Sequence, residues 1–289
     1  MSARDRYVDL LMGCLTRELF LDEETHDVDL STWPGPGSPD ELKAALRTTG
    51  WRVTRTGGEP SVRRDTGLRR DGRDWPPTAE TMVGRRRLAN VRSAVETVLE
   101  DGVPGDLIET GVWRGGVTIL MRGILEAWGD TERQVWVADS FEGLPAPNVE
   151  AYPDDAGHDM SGVSTLMVGA EQVRANFERY GLLDDQVSFL QGWFADTLPT
   201  APINQLAVLR LDGDLYESTM DALVPLYDKV SPGGFVIVDD YGAWEPCRKA
   251  VDEFRHRHDI TDPIIEVDWT GVYWRKTSTG RSPQRRPSL

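Results

Sequence analysis

An α/β fold, with a mostly parallel seven-stranded sheet ending in an antiparallel hairpin, is predicted by three features of the 289-residue sequence. From about residue 80 onward, short and nearly continuous apolar runs alternate with helix-length stretches, the pattern of parallel strands covered on both faces. Glycines and aspartates collect where these runs end. The last two runs are joined only by Trp269–Gly271, too short for a crossover helix, so they must fold back on one another.

Residues 1–79 read as an N-terminal arm or lid. An amphipathic segment, Tyr7–Phe20, is followed by Gly/Pro/Arg-rich sequence (WPGPGSPD, TRTGGEPSVRRDTGLRRDGRDWPP) whose composition resists a compact core. Residues 80–276 form the main domain. Its strands are expected at Asp106–Val112, Gln134–Ser140, Val187–Gln191, Leu206–Asp212, Gly234–Asp239, Ile264–Asp268 and Val272–Lys276. Helices are expected at Thr118–Ala127, Leu166–Tyr180, Thr219–Lys229 and Pro246–His258. Residues 277–289, polar and rich in Pro and Arg, read as a loose tail. The closing hairpin departs from dinucleotide dehydrogenases, whose sixth strand completes a second parallel half.

Hydrophobic residues make up 39% of the chain and charged residues 28%, a globular balance. No apolar run reaches the roughly 18 residues that span a bilayer. The start, MSARDRYVDL, lacks a signal-peptide pattern, so a cytoplasmic protein without a membrane partner is expected. A net charge of −16 argues against a nucleic-acid partner. Arginines nonetheless crowd residues 52–92, among them Arg63, Arg64, Arg69, Arg70 and Arg85 to Arg87. A solvated basic face or a subunit contact is expected there, ahead of an anion site. Cys14 and Cys247 are far apart and read as ordinary reduced thiols.

The first chemical signal is Glu109-Thr-Gly111-Val-Trp-Arg-Gly115-Gly116, at a strand-to-helix junction. Its glycines permit close backbone approach, and the following helix N-terminus can meet a carboxylate or phosphate. Trp113 breaks the dinucleotide fingerprint G-x-G-x-x-G and blocks a pyrophosphate. A single amino-acid-like ligand fits better, such as the methionine half of S-adenosylmethionine; a plain strand–helix turn is the alternative. Asp139 ends the second strand, where it can accept ribose hydroxyls or cap the next turn through Ser140. Trp113 and Trp193 fall at loop ends, to border adenine or pack in the core. The histidines are weak signals: His26 and His158 are the better pair, and His256 and His258 read as surface or helix-face residues.

The most specific constellation is Asp212-Gly-Asp214 at the end of the fourth strand with Asp239–Asp240 at the end of the fifth. Carboxylates converging there repel one another unless a cation compensates them. Oxygen-only donors suit Mg²⁺, with Mn²⁺ possible, and Asp212, Asp239 and Asp240 are the expected ligands. The competing reading has Asp214 and one of Asp239 and Asp240 capping loops in water. A metal can acidify a sugar hydroxyl and align its oxygen with a sulfonium methyl, while Asp212 accepts the proton. A metal-dependent glycosyltransferase also uses a D-x-D pair, but the second acidic pair and the glycine turn stand against it. A non-catalytic binding module is disfavoured, because clustered strand-end acids are costly without a metal or a reaction.

At these motifs the chain resembles the macrocin O-methyltransferase family, which acts on sugars of macrolide and aminocoumarin antibiotics. The resemblance begins near Tyr7 and runs from Arg73 to Lys276. It is carried by GRDWPPTAETMVG, DGVPGDLIETGVWRGG, VWVADSFEGLP, RYGLLDDQVSFLQGWFADTLP, LAVLRLDGDLYESTMDAL, GGFVIVDDYGAWEPCRKAV and DWTGVYWR. It implies a Rossmann-like class I methyltransferase fold, S-adenosylmethionine as cofactor, Mg²⁺, and a deoxysugar hydroxyl of a glycosylated small molecule as acceptor. By the same resemblance Asp212, Asp239 and Asp240 hold the metal, and Asp212 is also the base. Thr81, Met82, Glu109, Gly111, Trp113, Arg114, Asp139, Ser140 and Trp193 contact the donor. A homo-oligomer whose N-terminal segments help shape the acceptor site is implied as well. Residues 28–72 match poorly, and the 145–165 loop is the chain's own.

Overall fold

The computed structural model describes residues 1–23, 25–27, 37–49, 53–56 and 66–277; Arg63, Arg64 and nearly all of the expected tail lie outside them. The chain opens with α1 (Ala3–Leu15). The Ser2 hydroxyl accepts the Asp5 N–H at 3.1 Å and the Asp5 carboxylate accepts the Ser2 N–H at 2.7 Å, a reciprocal cap worth about 1 kcal/mol. A 3₁₀ stretch, Glu18–Glu23, follows. The Tyr7–Phe20 segment is therefore one helix that starts earlier than expected and a separate turn. β1 (Thr25–Asp27) pairs antiparallel with β2 (Thr54–Thr56), with α2 (Pro39–Thr49) between them and α3 (Thr66–Arg70) after them.

The main domain follows as α4 (Arg85–Glu100), β3 (Asp106–Thr110), α5 (Gly116–Trp128), β4 (Val135–Asp139), α6 (Ala170–Arg179) and β5 (Val187–Gln191). It continues with α7 (Phe194–Thr197), β6 (Leu206–Leu211), α8 (Tyr216–Leu226), β7 (Val230–Val238), α9 (Glu245–Arg257), β8 (Ile265–Glu266) and β9 (Val272–Arg275). The sheet order is β5-β4-β3-β6-β7-β9-β8. β3 to β7 run parallel, whereas β9 is antiparallel to both β7 and β8. The predicted mixed sheet and closing hairpin are thus present. β3 stops at Thr110, short of Val112, because Gly111 turns left-handed at φ +87°. β7 begins at Val230, earlier than expected, and β8 keeps only two exposed residues.

Two helices were under-read from sequence. α4 presents Leu88, Val91, Val95 and Val98, all fully buried, at helical spacing, but its leading arginines disguise it as a basic run. α1 is built into the core: Val8, Leu11, Met12 and Leu15 are buried with α5 side chains. Gly123 of α5 makes that contact possible, since a Cβ there would sit 2.4 Å from Leu11 Cδ2. α5 is consequently buried nearly all round, with Ile119, Leu120, Met121, Ile124 and Leu125 fully inside.

Candidate active site

The strand order reverses between β3 and β6, which opens a crevice at their carboxyl ends. A cavity of about 590 Å³ fills it, within the range of small-molecule sites. Gly111 is obligatory at its floor. Besides its positive φ, a Cβ there would fall 1.8 Å from the Asp212 carbonyl oxygen, so the loops after β3 and β6 touch through a missing side chain.

Thr81, Met82, Glu109, Gly111, Trp113, Asp139, Ser140 and Trp193 all line this cavity. Arg114 does not. Its guanidinium stacks on Trp113 at 4.0 Å, donates to the carbonyls of Ala79 (2.8 Å) and Pro76 (3.3 Å), and borders a second cavity. It thereby pins the segment leading to Thr81 and Met82. Trp113 itself is left-handed (φ +49°) and donates its indole N–H to the Thr165 carbonyl at 2.8 Å.

Asp139 makes the capping contacts: its two oxygens accept the Val112 and Phe141 amides, each at 2.7 Å. Burial raises its carboxyl against those bonds. Ser140 Oγ closes the same turn, accepting the Glu142 N–H at 3.0 Å and donating to Gly143 O at 2.9 Å. Glu109 is different. One oxygen pairs with Arg210, while Oε2 is buried without a partner, and burial pushes the carboxyl up to about 8. An orphaned acceptor on the wall of a ligand-sized cavity fits a cationic group of a bound molecule.

Asp212, Asp239 and Asp240 each offer an oxygen within 4.8 Å of the others. Two arginines brace them. Arg210 is fully buried and donates to Glu109, to Asp239 and, at 2.8 Å, to Asp212. Arg87, at the start of α4, donates to Asp239, to Asp268 at 3.1 Å and to Gly72 O at 3.2 Å. Both Asp239 oxygens therefore already face guanidinium groups, and a metal would share that carboxylate with them. The donor set still fits a hard divalent cation: three carboxylates, no thiol or imidazole, and charge repulsion awaiting relief.

That repulsion, with burial, raises the carboxyls of the cluster. Burial first, and then Asp239, hold Asp212 up at about 6, with Arg210 opposing, although 26% of its side chain is open to the cavity. Burial, then Asp212 and Asp239, raise Asp214 to about 7. Asp240 is driven well up by burial and by Asp214. Asp214 is left-handed (φ +56°), and its N–H donates to Asp240 Oδ2 at 3.1 Å, so it is locked into the cluster.

Where it is described, the basic stretch is partly a solvated face, with 62% of the Arg70 side chain and 68% of the Arg86 side chain exposed, and its arginines pair with acids. Arg69 pairs with Asp74, Arg85 with Asp9 and Glu18, Arg70 with Glu18, and Arg86 with Asp71. His158 does not line the cavity but meets Trp244 edge-on at 5.5 Å, and His258 stacks on Phe254 at 4.2 Å. His26 contributes backbone to β1. Cys14 and Cys247 are free thiols. Among the described residues no helix is long and apolar enough to cross a membrane. Sequence reasoning missed Arg210, Arg87 and the bracing of Asp239. For Arg210 the signal was present, since a lone charge inside the apolar run LAVLRL calls for buried partners.

A mostly parallel seven-stranded sheet with a terminal antiparallel hairpin and a ligand crevice at the strand tips defines a Rossmann-like class I methyltransferase. The profile of the macrocin O-methyltransferase family (TylF) matches residues 4–276, and the chain belongs to that family and is an O-methyltransferase. It is 53% identical over 280 residues, 96% of this chain and 95% of the relative, to the 8-demethyl-8-(2,3-dimethoxy-alpha-L-rhamnosyl)-tetracenomycin-C 4'-O-methyltransferase of Streptomyces olivaceus. It is 58% identical over 213 residues, 73% of this chain and 80% of the relative, to the demethyldecarbamoylnovobiocin O-methyltransferase of Streptomyces niveus. Among solved structures, the O-methyltransferase NovP superimposes with a TM-score of 0.79 at 47% identity, covering 95% of this chain and all of that one. A calicheamicin methyltransferase shares the fold at 18% identity, with a TM-score of 0.53 over 95% of this chain and 93% of its own.

Proposed function

We propose that the enzyme transfers a methyl group from S-adenosylmethionine to a sugar hydroxyl of a glycosylated natural product, in antibiotic biosynthesis, with Asp212, Asp239 and Asp240 holding Mg²⁺. The observation that carries this reading is the junction of two sites in one cavity. The Gly111 turn with its orphaned Glu109 oxygen lies against the aspartate cluster, joined through the Gly111–Asp212 contact. The relatives' names add the acceptor class: a rhamnosyl tetracenomycin and a novobiocin precursor.

The donor's methionine end sits on the Gly111 turn, where Glu109 Oε2 meets its ammonium group. Thr81 and Met82 arrive on the segment that Arg114 pins, Asp139 and Ser140 shape the ribose end, and Trp113 and Trp193 border the adenine. A bound divalent cation would supply Lewis-acid polarisation of the acceptor hydroxyl. Asp212 accepts the hydroxyl proton, and the acceptor oxygen attacks the methyl carbon while sulfur keeps the electron pair of the broken bond. Negative oxygen meets a positive donor, so charge is neutralised, which exclusion of water by the cavity favours. Asp214 is a second candidate base. It ends the same loop and is raised to about 7, where a carboxylate works best at neutral pH.

Incubation with S-adenosylmethionine, Mg²⁺ and a panel of rhamnosides, followed by mass spectrometry, tests the reading. A glycoside one methyl heavier and an equivalent of S-adenosylhomocysteine are expected. Binding of a nucleoside diphosphate in place of S-adenosylhomocysteine would favour the glycosyltransferase chemistry and contradict it.

A further inference from the structure

Arg210 lies inside the sheet, fully buried and off the cavity lining, yet its bonds end on both halves of the proposed site. Strand register explains the reach. Glu109 of β3 is the partner of Arg210 in β6, and Ile237 is its partner in β7. Side chains two residues apart share one face of a sheet. Asp212, two beyond Arg210, and Asp239, two beyond Ile237, therefore fall on the side where Arg210 meets Glu109. One guanidinium nitrogen, Nη1, donates to both Glu109 and Asp212, and Nη2 donates to Asp239. Nε is buried without a partner, so all three bonds leave from the forked end. Among the described residues, Arg210 is the one cation paired with both Glu109 and the aspartate cluster; Arg87 reaches Asp239 and Asp268 but not Glu109.

This fork decides which Glu109 oxygen a ligand can use. Oε1 is taken by Nη1, and Oε2 is left buried and unpartnered in a residue on the cavity wall. The same planar group ties that acceptor to the carboxylate that receives the hydroxyl proton. In-line attack depends on such spacing, and a displacement of about 1 Å costs roughly a hundredfold in rate. Resting on the methyl-transfer reading above, we propose that Arg210 is a positioning residue for the donor: through Glu109 it fixes the ammonium group, and through Asp212 it keeps the reacting half-site in register with it. Without the guanidinium, Glu109 is buried and unpaired, and such a carboxyl takes up a proton and loses its hold on a cation. A lysine would supply the charge but not the planar span from Glu109 to Asp239.

Calorimetry with Mg²⁺ present tests this by comparing S-adenosylhomocysteine with its deamino analogue, in which hydrogen replaces the amino group. The wild-type enzyme should prefer S-adenosylhomocysteine by about tenfold or more, the contribution of a charge-assisted contact. Arg210→Gln and Arg210→Lys should each cut that preference to under about threefold, while the deamino analogue binds within about twofold of wild type, which also shows that the variants fold. Arg87→Met should keep the wild-type preference. In a Glu109→Gln background, Arg210→Lys should change the preference no further, since the contact it serves is already gone. If Arg210→Gln does not fold, Arg210→Lys, which keeps the buried charge, decides alone. A full preference in Arg210→Lys, equal weakening of both ligands by it, or collapse of the preference in Arg87→Met would each overturn the positioning role. Equal affinity of the wild type for the two ligands would overturn it as well, whereas failure to bind either would overturn the methyl-transfer reading beneath it.

Discussion

The two sides of the cavity are built by different means. The side proposed for the donor is made at strand tips, from backbone and short motifs: Gly111 pressed on the Asp212 carbonyl, and Asp139 caught between the amides of Val112 and Phe141. The side proposed for the acceptor is assembled from chain segments far apart in sequence. Residues 72–75, Pro145, Met160, Trp244 and Trp269 reach it from the N-terminal segment, a long loop, the start of α9 and the closing hairpin. A donor site fixed by backbone geometry admits little change without collapse, whereas an acceptor wall of exposed side chains can be altered while the fold persists.

The most damaging test of this contrast falls at the boundary between the sides. Asp212→Ala should lower turnover by roughly 10²–10⁴-fold, the usual loss when a general base is removed, with S-adenosylhomocysteine affinity changed only a few-fold. If Asp212→Ala retains activity and Asp214→Asn does not, the proton goes to Asp214. Next comes Arg87→Met, which removes one of the two guanidinium partners of Asp239 and the arginine partner of Asp268 and should cost about 3–5 kcal/mol in denaturant unfolding. Unchanged stability would show that Arg87 is dispensable to the cluster. Gly111→Ala follows. Backbone strain of about 1–3 kcal/mol and a clash with Asp212 should lower the melting temperature and weaken S-adenosylhomocysteine binding together; a variant with wild-type binding would refute the backbone-built donor side.

The pH dependence is the most diagnostic of charge. Unfolded, these carboxyls lose their protons near pH 4, whereas folded they keep them up to about 6 at Asp212, 7 at Asp214 and 8 at Glu109. In metal-free protein the folded state thus binds more protons across this window. The stability these three groups contribute is full below pH 4 and declines as pH rises towards 8. Divalent cation should flatten that decline, as read by melting temperature against pH. A metal-free profile that rises over the same range would contradict the repulsion assigned to the cluster.

The same contrast explains what could be read from sequence. Strand tips announce themselves: Glu109 to Gly116, Asp212-Gly-Asp214 and Asp239–Asp240 each place chemistry next to a β-run, and the seven strands follow from apolar runs with turn residues between them. α4 stayed hidden because Arg85, Arg86 and Arg87 read as a basic patch, while the acids that neutralise them (Asp9, Glu18, Asp71, Asp239 and Asp268) are remote in sequence. Arg114 sits inside the glycine-turn motif yet does not line the cavity, because a left-handed Trp113 precedes it and two carbonyls of the preceding segment claim its guanidinium. Trp75 and Trp269 carry no local motif at all. Their meaning lies in sharing one cavity, a long-range fact.

Manganese titration followed by electron paramagnetic resonance examines the cluster most directly, since it needs neither donor nor acceptor. The wild-type chain should take up one Mn²⁺ that Mg²⁺ displaces, and Asp240→Asn should weaken that uptake by tenfold or more. Absence of bound Mn²⁺ at millimolar concentration, or equal binding by Asp240→Asn, would mean that Arg87 and Arg210 alone balance these aspartates and that no metal works there.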